Sequence, residues 1–246
     1  MDEGLSVKAN ALEVLEKQLA ARVKKKQYGI VAIGSGTDAY IHHEEKLRLT
    51  EGMLRLLLKY KFPVFISTKC NLITRDIELL KEIDRAAILP EDLQTSLKRG
   101  VILSVSISTL DERISYILEP GALPPLQRLA IVRQLKLHGF LVGINAMPLL
   151  PFISDTEEEL EKIIIAAKEY YADYILTGGL TLFGSGTADS KTLFYKFLER
   201  YDASLLPKYQ QLYGSNFYTP FAYQNQLKEK ALRLCKKHNI KTSILQ

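Results

Sequence analysis

A repeated alternation between short apolar runs and longer amphipathic stretches constrains this chain more than any other feature of its sequence. The runs are typical of β-strands, and the stretches carry apolar residues at helical spacing. Strands that alternate with helices predict a parallel sheet with right-handed crossovers, and therefore an α/β fold. The expected pairs of strand and helix are Gly29–Gly34 with Thr50–Lys61, Pro63–Thr68 with Arg75–Ile83, Val101–Ser108 with Pro124–His138, Phe140–Met147 with Asp155–Tyr171, and Asp173–Thr181 with Lys191–Arg200.

The two ends of the chain depart from this alternation. Asn10–Lys26 is expected to be a helix that leads into the first strand, whereas a βα barrel normally begins with a strand. The sequence therefore indicates a partial barrel whose first strand is missing. We expect this incomplete barrel over residues 1–200 and a C-terminal helical appendage, packed on the barrel, over residues 201–246. The open strand edge would be covered by the N-terminal helix, the tail or a second chain.

Composition narrows the class of protein. The chain has 246 residues, 47% of them hydrophobic and 25% charged, which is typical of a globular protein. Residues 1–10 do not resemble a signal peptide, and no run reaches the ~18–20 apolar residues of a membrane helix. The distant pair Cys70 and Cys235 indicates reduced thiols, so we expect a cytoplasmic protein with no membrane partner. The net charge of +5 permits contact with nucleic acid without establishing it.

The third expected strand, Val101–Ser108, carries three serines on one face. Ser104, Ser106 and Ser108 alternate with apolar residues, although a strand between two helix layers is normally apolar on both faces. Buried hydroxyls need hydrogen-bond partners. Ligands of parallel α/β folds bind outside the carboxyl ends of the strands. The serines therefore indicate a polar ligand over the end of this strand.

Polar residues also follow the other strands, and two interpretations stay open for them. Gly34–Asp38 either brings backbone N–H groups close to a ligand or is an ordinary turn in which Asp38 starts an Asx-turn. Lys69 either binds a carboxylate or phosphate or is a surface lysine just past its strand. Asn145 lies near the end of the fourth strand, before Pro148, and Thr177, Gly178 and Gly179 lie near the end of the fifth.

Other motifs have a structural interpretation. Glu119 and Arg128 flank a proline-containing loop and are expected to brace it as an ion pair. Ser154 or Asp155, followed by acidic residues, is the expected start of a helix. Aromatic and basic residues in the tail could stack on bases, but a small aromatic core under a solvated basic helix is favoured. The four histidines have no metal-ligand spacing, and no Walker loop or nucleophile elbow is present.

Six phrases of the sequence resemble the radical S-adenosylmethionine (SAM) superfamily, in particular its DNA-repair-photolyase-like branch related to spore photoproduct lyase. The resemblance covers about residues 23–200. The phrases are VAIGSGTDAY (31–40), EKLRLT (45–50), STKCNLITRDIELL (67–80), VSISTLDERISYILEPGA (105–122), NAMPLLPFISDTEEEL (145–160) and GGLTLFGSGTADSKTLFYKFLE (178–199).

The resemblance implies a partial TIM-like barrel of the (β/α)6 type with SAM and a 4Fe–4S iron–sulfur cluster as cofactors. In such enzymes three cysteines in C-x3-C-x2-C hold the cluster, which binds SAM and cleaves it to a 5′-deoxyadenosyl radical. The radical abstracts a hydrogen atom from the substrate. For this chain the resemblance implies a lyase-like enzyme whose substrate is a nucleic acid that it repairs or modifies. The protein orients the cofactors and shields them.

The resemblance also implies which residues contact SAM. Lys69 matches the position that meets the methionine carboxylate, and Ser106, with Ser108, matches the strand position that touches the nucleoside. Asn145 matches the floor of the site. The turn over SAM or substrate is matched by Ser35, Thr37 and Asp38.

Two departures from the family pattern change the expected activity. Cys70 and Cys235 cannot form C-x3-C-x2-C, so we expect an incomplete domain that is inactive alone in SAM cleavage, with the cluster loop missing or supplied by a second chain or an N-terminal segment. The hydrogen-donor cysteine of spore photoproduct lyase is replaced by Ser35 or Gly36. Cys70 could substitute for it, but a small buried residue is favoured. The alternative is a cluster-free nucleotide- or nucleic-acid-binding or scaffold protein on the same barrel.

Overall fold

The computed structural model describes residues 7–245 of the chain. The strands are β1 (Val31–Ile33), β2 (Val64–Thr68), β3 (Val101–Ser106), β4 (Leu141–Leu149) and β5 (Tyr174–Gly179). Two short 3-10 helices cover Asn71–Asp76 and Glu91–Leu93. The α-helices are α1 (Ala11–Lys24), α2 (Glu44–Leu47), α3 (Leu49–Tyr60), α4 (Ile77–Ala86), α5 (Glu112–Leu118), α6 (Pro125–Leu137), α7 (Glu157–Glu169), α8 (Ser190–Tyr201), α9 (Leu205–Tyr213) and α10 (Phe221–Lys237).

The strands form one parallel sheet in the order β1-β2-β3-β4-β5, which is not closed. The predicted α/β fold, a partial barrel with a helical C-terminal extension, is therefore confirmed. Each strand is followed by a helix, as the alternation of apolar and amphipathic segments predicts. The third strand is shorter than expected, since β3 ends at Ser106 and Ser108 lies in the following loop.

The described chain divides into two compact units. The first contains residues up to 105 together with 134–142 and Leu245, and the second contains residues 106–133 and 143–244. The division at residue 200 that the sequence predicts stays a prediction.

In the first unit, the two faces of the sheet differ in polarity. One face is apolar and fully buried, and it is formed by Val64, Ile66, Val101, Leu103 and Val105. On the opposite face Phe65 lies beside Ile102 and Ser67 beside Ser104, because successive side chains alternate between faces. Ser67 and Ser104 are buried, so the hydroxyls predicted on one face of β3 have a neighbour on β2. Helix α1 packs on α3, and α3 packs on α4.

The second unit has an aromatic core to which the tail contributes. Helix α10 packs on β5 and α7, and the backbone N–H of Ile175 donates to the carbonyl oxygen of Lys241 at 2.8 Å. Tyr209 and Tyr213 of α9 are buried, as the favoured interpretation of the tail aromatics predicts. For Phe217, Tyr218 and Phe221 that interpretation is wrong, because all three are exposed. The core also contains Ile114, Leu150, Leu182, Phe194, Phe197 and Leu198.

The predicted start of α7 is wrong by one or two residues. Thr156 is the N-cap, and its hydroxyl accepts a hydrogen bond from the Glu159 amide at 3.2 Å. Ser154 accepts from the Leu150 amide instead, and Asp155 accepts from the Phe152 amide. Both side chains are thus used by the preceding turn and cannot cap the helix. No helix within residues 7–245 combines the length and the apolar character needed to cross a bilayer.

Candidate functional site

In the first unit, Asp38 connects the turn after β1 to the end of β2. Its Oδ1 accepts hydrogen bonds from the Tyr40 amide at 2.9 Å and from the Thr68 hydroxyl at 2.6 Å. Its Oδ2 accepts from the Lys69 amide at 2.6 Å. The contact with Tyr40 confirms the interpretation as an Asx-turn. Since both carboxylate oxygens are engaged, Asp38 holds the backbone on either side in place.

The rest of this turn is close to β2 at one residue and open at the others. Gly34 has a φ of +90°, and a Cβ there would lie 2.1 Å from the carbonyl oxygen of Ser67. Glycine is therefore required for the close approach of the turn to β2. Ser35 and Thr37 are exposed, and a Cβ on Gly36 would meet no atom within 4 Å.

Lys69 and Cys70 directly follow β2. Lys69 is half-buried, and its amide is fixed by Asp38. Cys70 is half-buried as well, and its amide donates to the hydroxyl of Thr68 at 3.0 Å. The favoured interpretation of Cys70 as a small buried residue is therefore wrong. Cys70 follows the last strand residue, where burial by neighbouring strands ends.

A buried network of polar groups supports the same loop. The hydroxyl of Tyr40 donates to Asp76 at 3.1 Å, and Arg75 binds both Asp76 at 2.8 Å and Glu44 at 2.9 Å. Glu44 accepts from the Thr50 amide at 2.9 Å, at the start of α3. Burial, followed by the charge of Asp76, raises the pKa of Tyr40. The hydrogen bond to Asp76 contributes most to raising the pKa of Arg75.

Sequence reasoning missed this network because its members are far apart in the chain. Arg75 and Glu44 are separated by 31 residues, as are Asp38 and Lys69. The available signal was the density of acidic and basic residues between two strands, which is also typical of a solvated loop.

In the second unit, Arg128 and Glu119 form the predicted ion pair, with 2.6 Å between Nη1 and Oε2. The side chain of Arg128 is only 1% exposed. Its Nη1 also donates to the carbonyl oxygen of Ser106 at 3.1 Å. The hydroxyl of Ser108 donates to Glu119 Oε1 at 3.3 Å. The structural interpretation of this pair is confirmed, but the sequence did not reveal that it contacts both site serines.

Two further groups complete the surroundings of Arg128. Its Nη2 donates to the hydroxyl of Ser115 at 3.3 Å, and its Nε donates to the carbonyl oxygen of Leu123 at 2.5 Å. The guanidinium therefore joins the end of β3 to the loop that precedes α6.

Asn145 lies in β4, half-buried and paired with Leu176 of β5. Its carbonyl oxygen accepts from the amide of Ile107 at 3.0 Å. The second unit thus places the residue between Ser106 and Ser108 directly beside Asn145. Ser106 and Ser108 are both buried, at 8% and 6% exposure.

The side chains that could bind a metal are dispersed over the part of the chain that the structure describes. Within residues 7–245, no three His, Cys, Asp or Glu side chains lie together as a metal site. Cys70 belongs to the first unit, and Cys235 is buried in α10 of the second. A 4Fe–4S cluster of this kind needs three thiolates, so the residues present do not fit such a cluster.

Comparisons with known proteins find sequence relatives that are themselves uncharacterized. No protein-family model matches the chain. The uncharacterized protein Rv2578c of Mycobacterium tuberculosis is 27% identical over 239 residues, which are 97% of this chain and 65% of that protein. The uncharacterized protein ORF301 of Acidianus two-tailed virus is 32% identical over 160 residues, which are 63% of this chain and 46% of that protein. The chain thus spans less than two thirds of the length of these curated relatives.

Two solved structures share the fold at low sequence identity. SuiB of Streptococcus suis bound to S-adenosylmethionine has a TM-score of 0.59 and 11% identity, and the match covers 97% of this chain and 44% of SuiB. A spore photoproduct lyase variant with bound AdoMet and dinucleoside spore photoproduct has a TM-score of 0.61 and 13% identity, with 93% and 64% covered. At these identities the matches show that the chain shares the fold of SuiB and of spore photoproduct lyase.

Proposed function

We propose that this chain binds SAM at the carboxyl ends of its strands. The observation that carries the proposal is the shared fold, because structures that hold SAM match 97% and 93% of the chain. In parallel α/β folds, ligands bind at this edge of the sheet.

Lys69 is proposed to meet the methionine carboxylate of SAM. A lysine ammonium is a compact positive charge that pairs well with a carboxylate. The support from geometry is that the Asp38 carboxylate fixes the Lys69 amide at 2.6 Å, which defines where the side chain begins. Asp38 acts by holding this backbone, while the exposed Ser35 and Thr37 are proposed to lie over the ligand.

Ser106, Ser108 and Asn145 are proposed to contact the nucleoside. Ser104, on the same strand face as Ser106, supports a polar ligand. It is 1% exposed, and its hydroxyl has no hydrogen-bond partner among residues 7–245. A buried hydroxyl without a partner is unfavourable, and a ligand rich in hydroxyl and amino groups over this face fits it.

We propose no step through a 4Fe–4S cluster, because the two cysteines of this sequence do not fit one. The chain's own residues would bind SAM, orient it and exclude water from it. Cleavage of SAM would then require cluster ligands from outside this chain, from another polypeptide or an additional N-terminal segment that also pairs with the edge of β1.

Isothermal titration calorimetry with SAM tests the binding proposal. Lys69→Ala is expected to weaken binding about 10- to 100-fold, since it removes a charge-assisted contact. Lys59→Ala is the matched control, because Lys59 pairs with Glu16 on the surface at 2.6 Å and should leave SAM affinity unchanged. Equal affinity of Lys69→Ala and the unsubstituted chain would exclude Lys69, and no binding by the unsubstituted chain would overturn the proposal.

The expectation that the chain alone does not cleave SAM is tested in a separate experiment. After anaerobic iron–sulfur reconstitution and reduction, the chain alone is expected to form no 5′-deoxyadenosine above the level of a Cys70→Ser, Cys235→Ser double variant. Robust turnover by the unsubstituted chain would show that its own residues support a cluster.

A cluster-free protein that binds single-stranded nucleic acid is the second candidate, favoured by an exposed aromatic cluster in the second unit. The ring of Phe183 lies 5.5 Å from that of Phe217 and 6.2 Å from that of Tyr218. Exposed aromatic rings can stack on unpaired bases. Helix α10 is less suited to bind phosphates, because Arg233 pairs with Glu157 and Lys237 with Glu161.

Salt-dependent binding of a fluorescent single-stranded oligonucleotide distinguishes this candidate. Binding that weakens steeply with salt and falls further in Phe183→Ala would support it. Undetectable binding at low salt would remove it, whatever the affinity for SAM.

A further inference from the structure

The buried ion pair of Arg128 and Glu119 contacts Ser106 at the end of β3 and Ser108 in the loop that follows. Arg128 donates to the backbone carbonyl of Ser106 at 3.1 Å, and Glu119 accepts from the hydroxyl of Ser108 at 3.3 Å. The pair itself is short, at 2.6 Å, with side-chain exposures of 1% and 12%. It therefore connects two residues that the proposed function places against the nucleoside of SAM.

Arg128 fixes the backbone at Ser106. A guanidinium is planar and carries five N–H donors in a rigid fork. Here that fork binds the Ser106 carbonyl, the Ser115 hydroxyl and the Leu123 carbonyl as well as Glu119. The Ser106 carbonyl is therefore held by a guanidinium that three other groups keep in place, and this fixes the backbone from which the Ser106 side chain projects.

Glu119 determines how the hydroxyl of Ser108 is oriented. An ionised carboxylate can only accept hydrogen bonds, so the Ser108 proton points to Glu119. The lone pairs of the Ser108 oxygen are then left for another group. A ligand group that meets Ser108 must be a donor, and the nucleoside of SAM offers two ribose hydroxyls and an exocyclic amino group.

We propose that Arg128 and Glu119 are positioning residues, which present Ser106 and Ser108 to the nucleoside and make Ser108 a hydrogen-bond acceptor. This inference rests on the proposed binding of SAM. It assigns a role in ligand recognition to a pair whose position in the loop would otherwise be explained by stability alone.

The experiment is a double-variant cycle read out by SAM affinity. Glu119→Gln is expected to weaken SAM binding about tenfold. The amide N–H can donate to the Ser108 oxygen, and the Ser108 hydroxyl would then point its own hydrogen toward the ligand. In a Ser108→Ala background the same substitution should cause little further loss. Equal losses in both backgrounds would show that Glu119 does not act through Ser108 and would overturn the inference.

A control at the opposite end of the same strand separates positioning from stability. Asp84 pairs with Arg99 at 2.5 Å and accepts from the Val101 amide at 2.9 Å, where β3 begins. Asp84→Asn is expected to lower the urea midpoint of unfolding while SAM affinity stays unchanged. If Asp84→Asn and Glu119→Gln weaken SAM binding equally, the pair has a purely structural role and the inference is wrong.

A second variant covers the case in which Glu119→Gln fails to fold. Arg128→Lys keeps a positive charge opposite Glu119 and loses the fork that reaches Ser106 and Ser115. It is expected to fold and to bind SAM at least fivefold more weakly; unchanged affinity would overturn the role of Arg128. Absence of SAM binding by the unsubstituted chain would overturn the proposed function and this inference together, whereas the other contrary results overturn the inference alone.

Adenosine analogues test the acceptor role of Ser108. Analogues that lack the 2′-hydroxyl, the 3′-hydroxyl or the 6-amino group each remove one donor. One of them is expected to bind the unsubstituted chain more weakly than adenosine does. The same analogue and adenosine are expected to bind Ser108→Ala with equal affinity. If all three show the same ratio in both proteins, Ser108 does not accept from the nucleoside.

Discussion

The carboxylate of Asp38 accepts a 2.6 Å hydrogen bond from the backbone amide of Lys69, 31 residues further along the chain. Two neighbouring strands of a parallel sheet are thereby joined where they end, at the edge where such folds bind ligands. The same carboxylate closes the turn at Tyr40 and accepts from Thr68. One acidic side chain thus sets the geometry of the turn after β1 and of the residues after β2.

Removal of this carboxylate should destabilise the first unit. Asp38→Ala leaves the Lys69 amide and the Thr68 hydroxyl without their acceptor, so we expect the free energy of unfolding to fall by ~2–4 kcal/mol. Asp38→Asn retains one acceptor oxygen and should lose about half as much. Urea unfolding followed by circular dichroism measures both values. An alanine variant as stable as the unsubstituted chain would contradict the bracing role.

Gly34 is expected to tolerate no side chain, in contrast to Gly36. Gly34→Ala combines a φ of +90° with a Cβ placed 2.1 Å from the Ser67 carbonyl oxygen, so it should cost at least ~2 kcal/mol. Gly36→Ala meets no atom within 4 Å and should change stability by only ~0.5 kcal/mol. Thermal unfolding of the two variants side by side checks the difference. Similar melting temperatures would mean that the turn relaxes away from β2.

The sheet could be predicted from the sequence because buried parallel strands are nearly continuous apolar runs. Val64 and Ile66 of β2 and Val101 and Leu103 of β3 are all fully buried, and each belongs to such a run. The ends of elements were less accurate, since they depend on local competition for hydrogen bonds. The start of α7 moved to Thr156 because the side chain of Asp155 serves the turn before it.

The long-range contacts of the candidate site could not be predicted in the same way. Glu119 and Arg128 are close in sequence, so their pairing was expected, but the contact of Arg128 with the Ser106 carbonyl spans 22 residues. The contact between Tyr40 and Asp76 spans 36. No periodicity or motif in the sequence indicates either contact, because contacts of this kind depend on how strands and loops pack in three dimensions.

The two cysteines should differ sharply in reactivity. Cys70 is half-buried, whereas Cys235 is 1% exposed and burial raises the pKa of its thiol to about 11. Because the thiolate is the reactive form, an aromatic disulfide reagent at about pH 8 is expected to modify one thiol per folded chain quickly. Cys70→Ser should abolish this fast phase, and both thiols should react in denaturant. Rapid loss of both thiols in the folded chain would show that α10 opens readily.

The buried carboxyl group of Asp155 is expected to make the stability of the chain depend on pH. Burial raises the pKa of its carboxyl above the ordinary value of 3.8, an effect larger than the lowering by hydrogen bonds from Tyr223 and Phe152 and by the charge of Lys230. An acid whose pKa is raised by folding binds its proton more tightly in the folded state. Its contribution to stability is present below the ordinary pKa and is lost as pH rises through the higher value of the folded state.

Comparison with Asp155→Asn isolates this contribution. The amide keeps one acceptor oxygen for the Phe152 N–H, and its NH2 group can donate to the Tyr223 hydroxyl. It does not titrate, so the free energy of unfolding of the unsubstituted chain should fall relative to the variant as the pH rises above about 4. Tyr223→Phe removes a hydrogen bond that lowers the pKa of Asp155 and should extend the fall to higher pH. Urea unfolding at several pH values measures the differences. A gain of the unsubstituted chain over Asp155→Asn with rising pH would mean that hydrogen bonds to the carboxylate outweigh its burial.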